Sequence, residues 1–166
     1  MRNKQKAGNS RLFCIYLKKV EDVKQKAEEL AEKQDALNEK TEDKSNDSES
    51  LKEEQSELQK ELDQLKDDLK KLDELNEDLE NPKDLPELQE EQQKADQQMQ
   101  ESKENLGKNN RNKSQENQQK ASDELKKMGD KLDNFQQEQE DSQSSENLDD
   151  MRQLMENIVD LSHSQE

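Results

Sequence analysis

The sequence has few of the residues that build a compact interior. Aromatic residues make up 2% of the chain, tryptophan is absent, and hydrophobic residues account for 24%. Globular domains contain roughly 45–50% apolar residues, so 166 residues of this composition do not supply an ordinary globular core. Two classes remain: a disordered acidic chain, or long helices joined along narrow apolar seams.

Residues that carry catalysis or bind metals are also scarce. Cys14 is the only cysteine, so no disulfide can form within the chain. His163 is the only histidine and has no cysteine near it, which removes an ordinary zinc site and a histidine-based catalytic triad. The three glycines are scattered and form no phosphate-binding loop. We therefore expect no enzymatic activity, no cofactor and no bound metal.

Long hydrophobic runs are missing as well. The longest apolar run near the start is LFCIYL, residues 12–17, which is too short for a signal peptide or for a membrane helix of about 20 residues. Residues 1–19 carry six basic residues and no acidic one. This basic start is compatible with contact to a membrane surface, and equally with a helix whose first charges are solvated.

Positive charge is deficient over the rest of the chain. The net charge is −17 and the mean hydropathy is −1.68. Without the first 19 residues, 21 basic residues face 44 acidic ones, a net charge of −23. Because such a surface repels phosphate groups, we expect no nucleic-acid partner.

Apolar residues are present at heptad spacing in two long stretches. Both follow the alternating steps of three and four residues that are typical of a helix with one partner-facing seam. Gln55 and Asn76 interrupt the second seam, where a buried polar residue favours one register at some cost in stability. The seam residues of these stretches are Val20, Val23, Leu30, Leu37, Leu58, Leu62, Leu65, Leu69, Leu72 and Leu79.

Breaks in the pattern divide the chain. We predict a disordered start over residues 1–12 and two heptad helices over 13–81, joined near 42–50. The heptad phase would allow one continuous helix through this junction, but a loop is favoured, with Ser50 and Glu53 as a capping box. Residues 82–86 form a proline break, and 87–140 form a helical hairpin that turns at 107–113 behind a Gly107 cap. The fourth helix carries the seam residues Leu125, Met128 and Leu132.

Residues 43–54 show one motif with a possible chemical function. Acidic residues occupy positions 1, 5 and 12 of this segment, the spacing of a calcium-binding EF-hand loop. Ser48 stands where the sharp turn of that loop needs glycine, and an acidic linker explains the same residues. The linker is the interpretation that we favour.

The final segment is the most amphipathic part of the sequence. After a predicted linker at 141–146, residues 147–166 read as a helix with an apolar face too broad for a single heptad partner. We predict that this face binds other helices, by self-association or through flanking sequence that is missing from a fragment. Its residues are Leu148, Met151, Leu154, Met155, Ile158 and Leu161.

The proline break LENPKDLPEL and the final NLDDMRQLMENIVDLSHSQE carry a family resemblance. They resemble the coiled-coil region of large, uncharacterised bacterial membrane-anchored proteins, a domain-of-unknown-function family. The resemblance implies a parent protein anchored in the cell envelope, although the upstream membrane helices of that family are absent from residues 1–17. It supplies no catalytic or binding residues.

These patterns predict an all-α fold of elongated antiparallel coiled-coil hairpins, without a compact globular core. The predicted function is a non-enzymatic structural or assembly segment. The alternative is an acidic, partly disordered segment that binds partners or acts like a chaperone.

Overall fold

The protein is helical throughout the part that the structure describes. The computed structural model describes the backbone of residues 2–163 and the side chains of 11–145, 148, 149 and 151–157. Within these residues there is no β-strand, which confirms the all-α prediction. The helices are α1 (Arg2–Glu42), α2 (Ser48–Glu77), α3 (Gln89–Gly107) and α4 (Arg111–His163).

The four helices form a closed bundle. Each helix packs against its neighbours in sequence, and α1 also packs against α4, while the diagonal pairs make no close backbone contact within residues 2–163. This is the up-down-up-down arrangement of an antiparallel four-helix bundle. The predicted hairpins α1–α2 and α3–α4 are therefore confirmed, and the two hairpins share one core.

The core is a long column of side-chain layers. It runs along α1 from Tyr16 to Thr41, about 40 Å at 1.5 Å per residue. All thirteen residues that the sequence places on the seams are buried in this column. Small residues let α1 and α4 approach closely, since a Cβ added at Gly129 would lie 3.1 Å from the Cγ of Glu28.

The α3–α4 turn ends α3 without a left-handed glycine. Asn109 takes the left-handed conformation with φ 56°. The Asn110 N–H donates to the carbonyl of Asn105 at 2.8 Å, and the Asn109 N–H donates to that of Leu106 at 3.0 Å. These two bonds form a Schellman motif. The prediction that Gly107 caps this helix is wrong, because Gly107 is still helical and asparagine tolerates the left-handed position.

Arg111 joins the two turns at this end of the bundle, which we call the turn end. Its guanidinium donates to the carbonyl of Asp43 at 2.9 Å, to the carbonyl of Asn46 and to the hydroxyl of Ser48 at 3.2 Å. Asp47 caps α2 and accepts from the Ser50 N–H at 3.2 Å. The helix therefore begins earlier than the predicted capping box at Ser50.

The opposite end, which we call the proline end, is closed by residues 78–88. Asn76 holds this connection with two bonds to the backbone of Lys83, 2.7 and 2.8 Å long. The Lys83 ammonium lies 5.3 Å from the centre of the Phe13 ring. Asn76 was expected to specify register inside the seam, but it lies partly buried and instead fixes the loop.

Two predicted irregular segments are helical. The backbone of 2–12 belongs to α1, so the prediction of a disordered start is wrong. The predicted linker 141–146 lies inside α4, which runs without a break through Glu140 and Ser142. The Ser142 hydroxyl donates to the carbonyl of Glu138 at 2.8 Å, so this serine satisfies its hydroxyl along the helix and does not end it.

Candidate association surface

Two helices continue past the proline end while the other two stop there. At this end the rings of Tyr16 and Phe135 meet edge to face, with centroids 6.4 Å apart. Beyond Phe135, α4 continues to His163, which we call the α4 extension. At 1.5 Å per residue the extension is about 40 Å long, as long as the bundle core itself.

The α4 extension presents an apolar face to solvent. Leu148 and Met151 are each 60% exposed, Leu154 is 62% exposed and Met155 is 65% exposed. These four side chains occupy adjacent helical turns, so they form one continuous stripe. The structure thus places four of the six predicted face residues together in solvent. The other two, Ile158 and Leu161, have side chains outside the described residues.

The direction of this face explains why the bundle leaves it uncovered. The core side chains of α4, which include Leu132 and Phe135, look inward. At 100° per residue, the stripe from Leu148 to Met155 lies roughly 130° around the α4 axis from that inward side. A straight continuation of α1 beside α4 therefore does not reach the stripe.

The α4 extension is strongly acidic. Residues 136–163 contain eight acidic residues and one arginine, a net charge of −7 with histidine neutral. Asp149 and Glu156 are both exposed near the stripe. Arg152 lies 3.7 Å from the carboxylate of Asp149 but is itself 81% exposed, so this pair adds little stability.

α1 carries a smaller exposed surface of opposite charge near the same end. Arg11, Cys14, Ile15 and Lys18 are all exposed, with Ile15 at 47%. Their spacing of three and four residues places them on one helical face, which we call the α1 basic face. The sequence shows the charge of this region, but the division of LFCIYL between core and surface becomes visible only in the fold.

The buried polar residues form an internal layer. The side-chain amides of Gln34 and Gln55 exchange hydrogen bonds of 3.2 and 2.7 Å. The Gln55 oxygen also accepts from the Ser102 hydroxyl at 2.8 Å and from the Gln118 amide at 3.2 Å. Ser114 shares a 2.8 Å bond with Ser102. All five are fully buried, so this layer joins the four helices and is closed to ligands.

Ion pairs connect neighbouring helices around the outside. Lys24 of α1 reaches Asp133 of α4 at 3.0 Å, and Lys66 of α2 reaches Asp96 of α3 at 2.7 Å. The hydrogen bond to Glu21 raises the pKa of Lys24 to about 12, burial opposes the rise, and the bond to Asp133 adds to it. These pairs fix the relative positions of the helices.

The EF-hand-like segment has other structural roles. The Asp43 carboxylate accepts from the Ser45 N–H at 2.9 Å, and Asp47 caps α2. Glu54, at the last position of the motif, pairs with Lys40 at 2.6 Å. Among the described residues, no group of three or more metal-binding side chains is placed to hold an ion.

The described part of the chain contains no helix that is both long enough and apolar enough to span a bilayer.

A groove of about 540 Å³ between α1 and α4 near the turn end is lined by polar side chains. They are Asp35, Asn38, Glu39, Glu42, Asn112, Gln115, Glu116 and Gln119. Ligand pockets usually have apolar walls, and this groove lacks them.

Comparison with protein-family models, with curated proteins and with solved structures gives no match. The resemblance to membrane-anchored bacterial proteins therefore stays a prediction. The class of protein that the geometry defines is a four-helix bundle with a projecting, amphipathic α4 extension.

Proposed function

We propose that this protein is a structural assembly module in which the bundle is a rigid spacer and the α4 extension binds another copy of the chain. The observation that carries the proposal is the exposed stripe of Leu148, Met151, Leu154 and Met155. Four large apolar side chains at more than half exposure on one helix face are typical of a protein-interaction surface.

The bundle supports the role of a spacer. Its core is continuous from the layer of Tyr16 and Phe135 at the proline end to Thr41 near the turn end. Ion pairs such as Lys126–Asp35, at 2.7 Å, connect α1 to α4 along its length. Such a body holds the turn end and the α4 extension at a fixed separation. The alternative of a partly disordered acidic segment has less support, because the described backbone is helical over most of its length. The cell-envelope setting depends on the sequence resemblance alone and is not part of the proposal.

Sedimentation equilibrium of the purified chain tests the proposal. We expect the average mass of the wild type to rise with concentration. The double variant Met151→Ser, Leu154→Ser should associate at least tenfold more weakly, because burying each of these side chains contributes about 1.5–3 kcal/mol. The control is Gln153→Ser, a substitution of an exposed residue on the other side of the helix, which should leave association unchanged.

Two results would contradict the proposal. One is a wild-type chain that stays monomeric over the whole concentration range. The other is a double variant that associates as tightly as the wild type, which would place the contact elsewhere on the molecule.

A further inference from the structure

We infer that the occupant of the apolar stripe is the α1 basic face of a second copy. This inference rests on the proposed function and adds the partner surface to it. Within the described residues, Arg11, Cys14, Ile15 and Lys18 form an exposed face near the same end of the bundle as the stripe. Two copies that approach proline end to proline end would bring each stripe to the other copy's α1.

Charge favours this partner over a second α4 extension. Residues 136–163 have a net charge of −7, whereas residues 1–19 carry six basic residues and no acidic one. Pairing two α4 extensions would place Asp149 and Glu156 of one copy near the same residues of the other, and like charges at close range oppose association. Pairing the extension with the basic face places opposite charges around an apolar centre.

Shape favours the same pairing. Leu148, Met151, Arg152 and Met155 have the spacing i, i+3, i+4, i+7, which is that of a coiled-coil hole. All four are exposed. Ile15, 47% exposed, is the large apolar side chain of the α1 basic face and fits such a hole as a knob. Arg11 and Lys18, one turn to either side of it, then lie within reach of the acidic flanks.

The arrangement is reciprocal. Each copy offers one stripe and one basic face, so a two-fold axis between the proline ends uses both pairs of surfaces at once. A closed dimer is the expected product, because an isologous contact of this kind leaves no free surface for further growth.

The single cysteine allows a direct test in the full-length chain. The wild type carries one thiol, at Cys14. It is mixed with the double variant Cys14→Ser, Arg152→Cys, whose one thiol lies at the hole. A short bismaleimide then links thiols that lie close together, and a size tag on one chain separates mixed from like pairs. We expect mixed pairs to dominate, since Cys14 and residue 152 lie beside the proposed knob and hole.

The matched control is the variant Cys14→Ser, Gln153→Cys. Residue 153 lies about 100° further around the same helix, so its thiol should give at least fivefold fewer mixed pairs. If the 152 thiol instead links mainly to itself, the stripe pairs with another stripe. That result overturns the inference and leaves the proposed function standing. A monomeric wild type without linked pairs overturns both.

Salt dependence gives a second, independent readout. Raising sodium chloride from about 50 mM to 500 mM shortens the Debye length roughly threefold. Pairing between the acidic extension and the basic face should weaken several-fold over this range. Pairing between two acidic extensions would strengthen, because salt screens their repulsion, so an increase in association also overturns the inference.

Discussion

Asp68 of α2 is the acidic side chain on which two lysines of α1 converge. Lys19 donates to one of its oxygens at 3.0 Å and Lys26 donates to the other. The Asp68 side chain is only 10% exposed. The hydrogen bond from Lys26, followed by that from Lys19, holds the pKa of Asp68 well below its ordinary value even though burial opposes the shift. A nearly buried carboxylate in this setting connects α1 to α2 more firmly than a surface ion pair does.

Replacing Asp68 with Asn should lower the free energy of unfolding at pH 7 by about 1–3 kcal/mol, because it removes the nearly buried charge that Lys19 and Lys26 face. Chemical denaturation measures this. Asp67→Asn is the matched control. Asp67 is 66% exposed and, among the side chains that the structure describes, forms its ion pair with Lys70 of its own helix, so this substitution should change stability by less than about 0.5 kcal/mol.

The Asp68→Asn variant should also change how the free energy of unfolding depends on pH. The pKa of Asp68 is lower in the folded protein than in the unfolded chain, so its stabilisation is complete above about pH 4 and is lost as the pH falls toward the folded value. Between about pH 5 and pH 2 the wild type should therefore lose more stability than Asp68→Asn. Equal losses in the two proteins would show that Asp68 is not charged and paired as described.

At the scale of elements, the polar layer is the feature that joins all four helices. Gln55→Leu should reduce stability by about 1–3 kcal/mol, because it leaves the buried amide of Gln34 and the hydroxyl of Ser102 short of partners. Thermal unfolding followed by circular dichroism measures the loss. Gln64→Leu, on the exposed side of the same helix, is the control and should be nearly neutral. A neutral Gln55→Leu would mean that the layer is not closed as described.

The sequence predicts those features of the helices that depend on residues close together in the chain, and it does not predict contacts between distant residues. The heptad steps through Val20, Leu62 and Leu125 predict the helices and their inward faces, because periodicity is a property of neighbouring residues. The closure of two hairpins into one bundle could not be predicted, since α1 and α4 meet across separations of about a hundred residues. The spacing of apolar residues within one helix does not determine which other helix packs against it.

The wrong prediction of a linker at 141–146 has a physical cause. Residues 141–146 contain three serines and one aspartate, residue types with a lower intrinsic preference for helix than alanine, leucine or glutamate. They contain no proline or glycine, however, and a helix already formed on the bundle propagates through them, because propagation costs far less than nucleation. The sequence places the stripe residues on one helical face and predicts that this face is free for other helices. The reason that the bundle leaves it uncovered, a rotation of about 130° from the inward side of α4, becomes visible only when that inward side is known.

At the scale of the whole molecule, the bundle should fold without the part of the α4 extension that follows Gln143. The described core ends at Phe135. A chain cut after Gln143 should therefore unfold within a few degrees of the full-length midpoint, measured in dilute solution where neither chain associates. Its helical signal should fall, because about 20 residues of helix are removed. A midpoint lowered by more than about 10 °C would show that the extension packs on the bundle.

The α1–α2 turn and the α3–α4 turn both lie at the turn end, where Arg111 connects them. At the opposite end, the proline end, α1 and α4 both extend out of the bundle. This placement determines how the molecule responds to mechanical load. Tension applied through the segments that leave the proline end would pull α1 and α4 apart sideways and open the bundle one layer at a time, beginning at Tyr16 and Phe135. The polar layer around Gln55 and the Arg111 contacts lie furthest from that opening. Under tension the bundle would therefore unfold from the proline end toward the turn end, and the turn end would be the last part to separate.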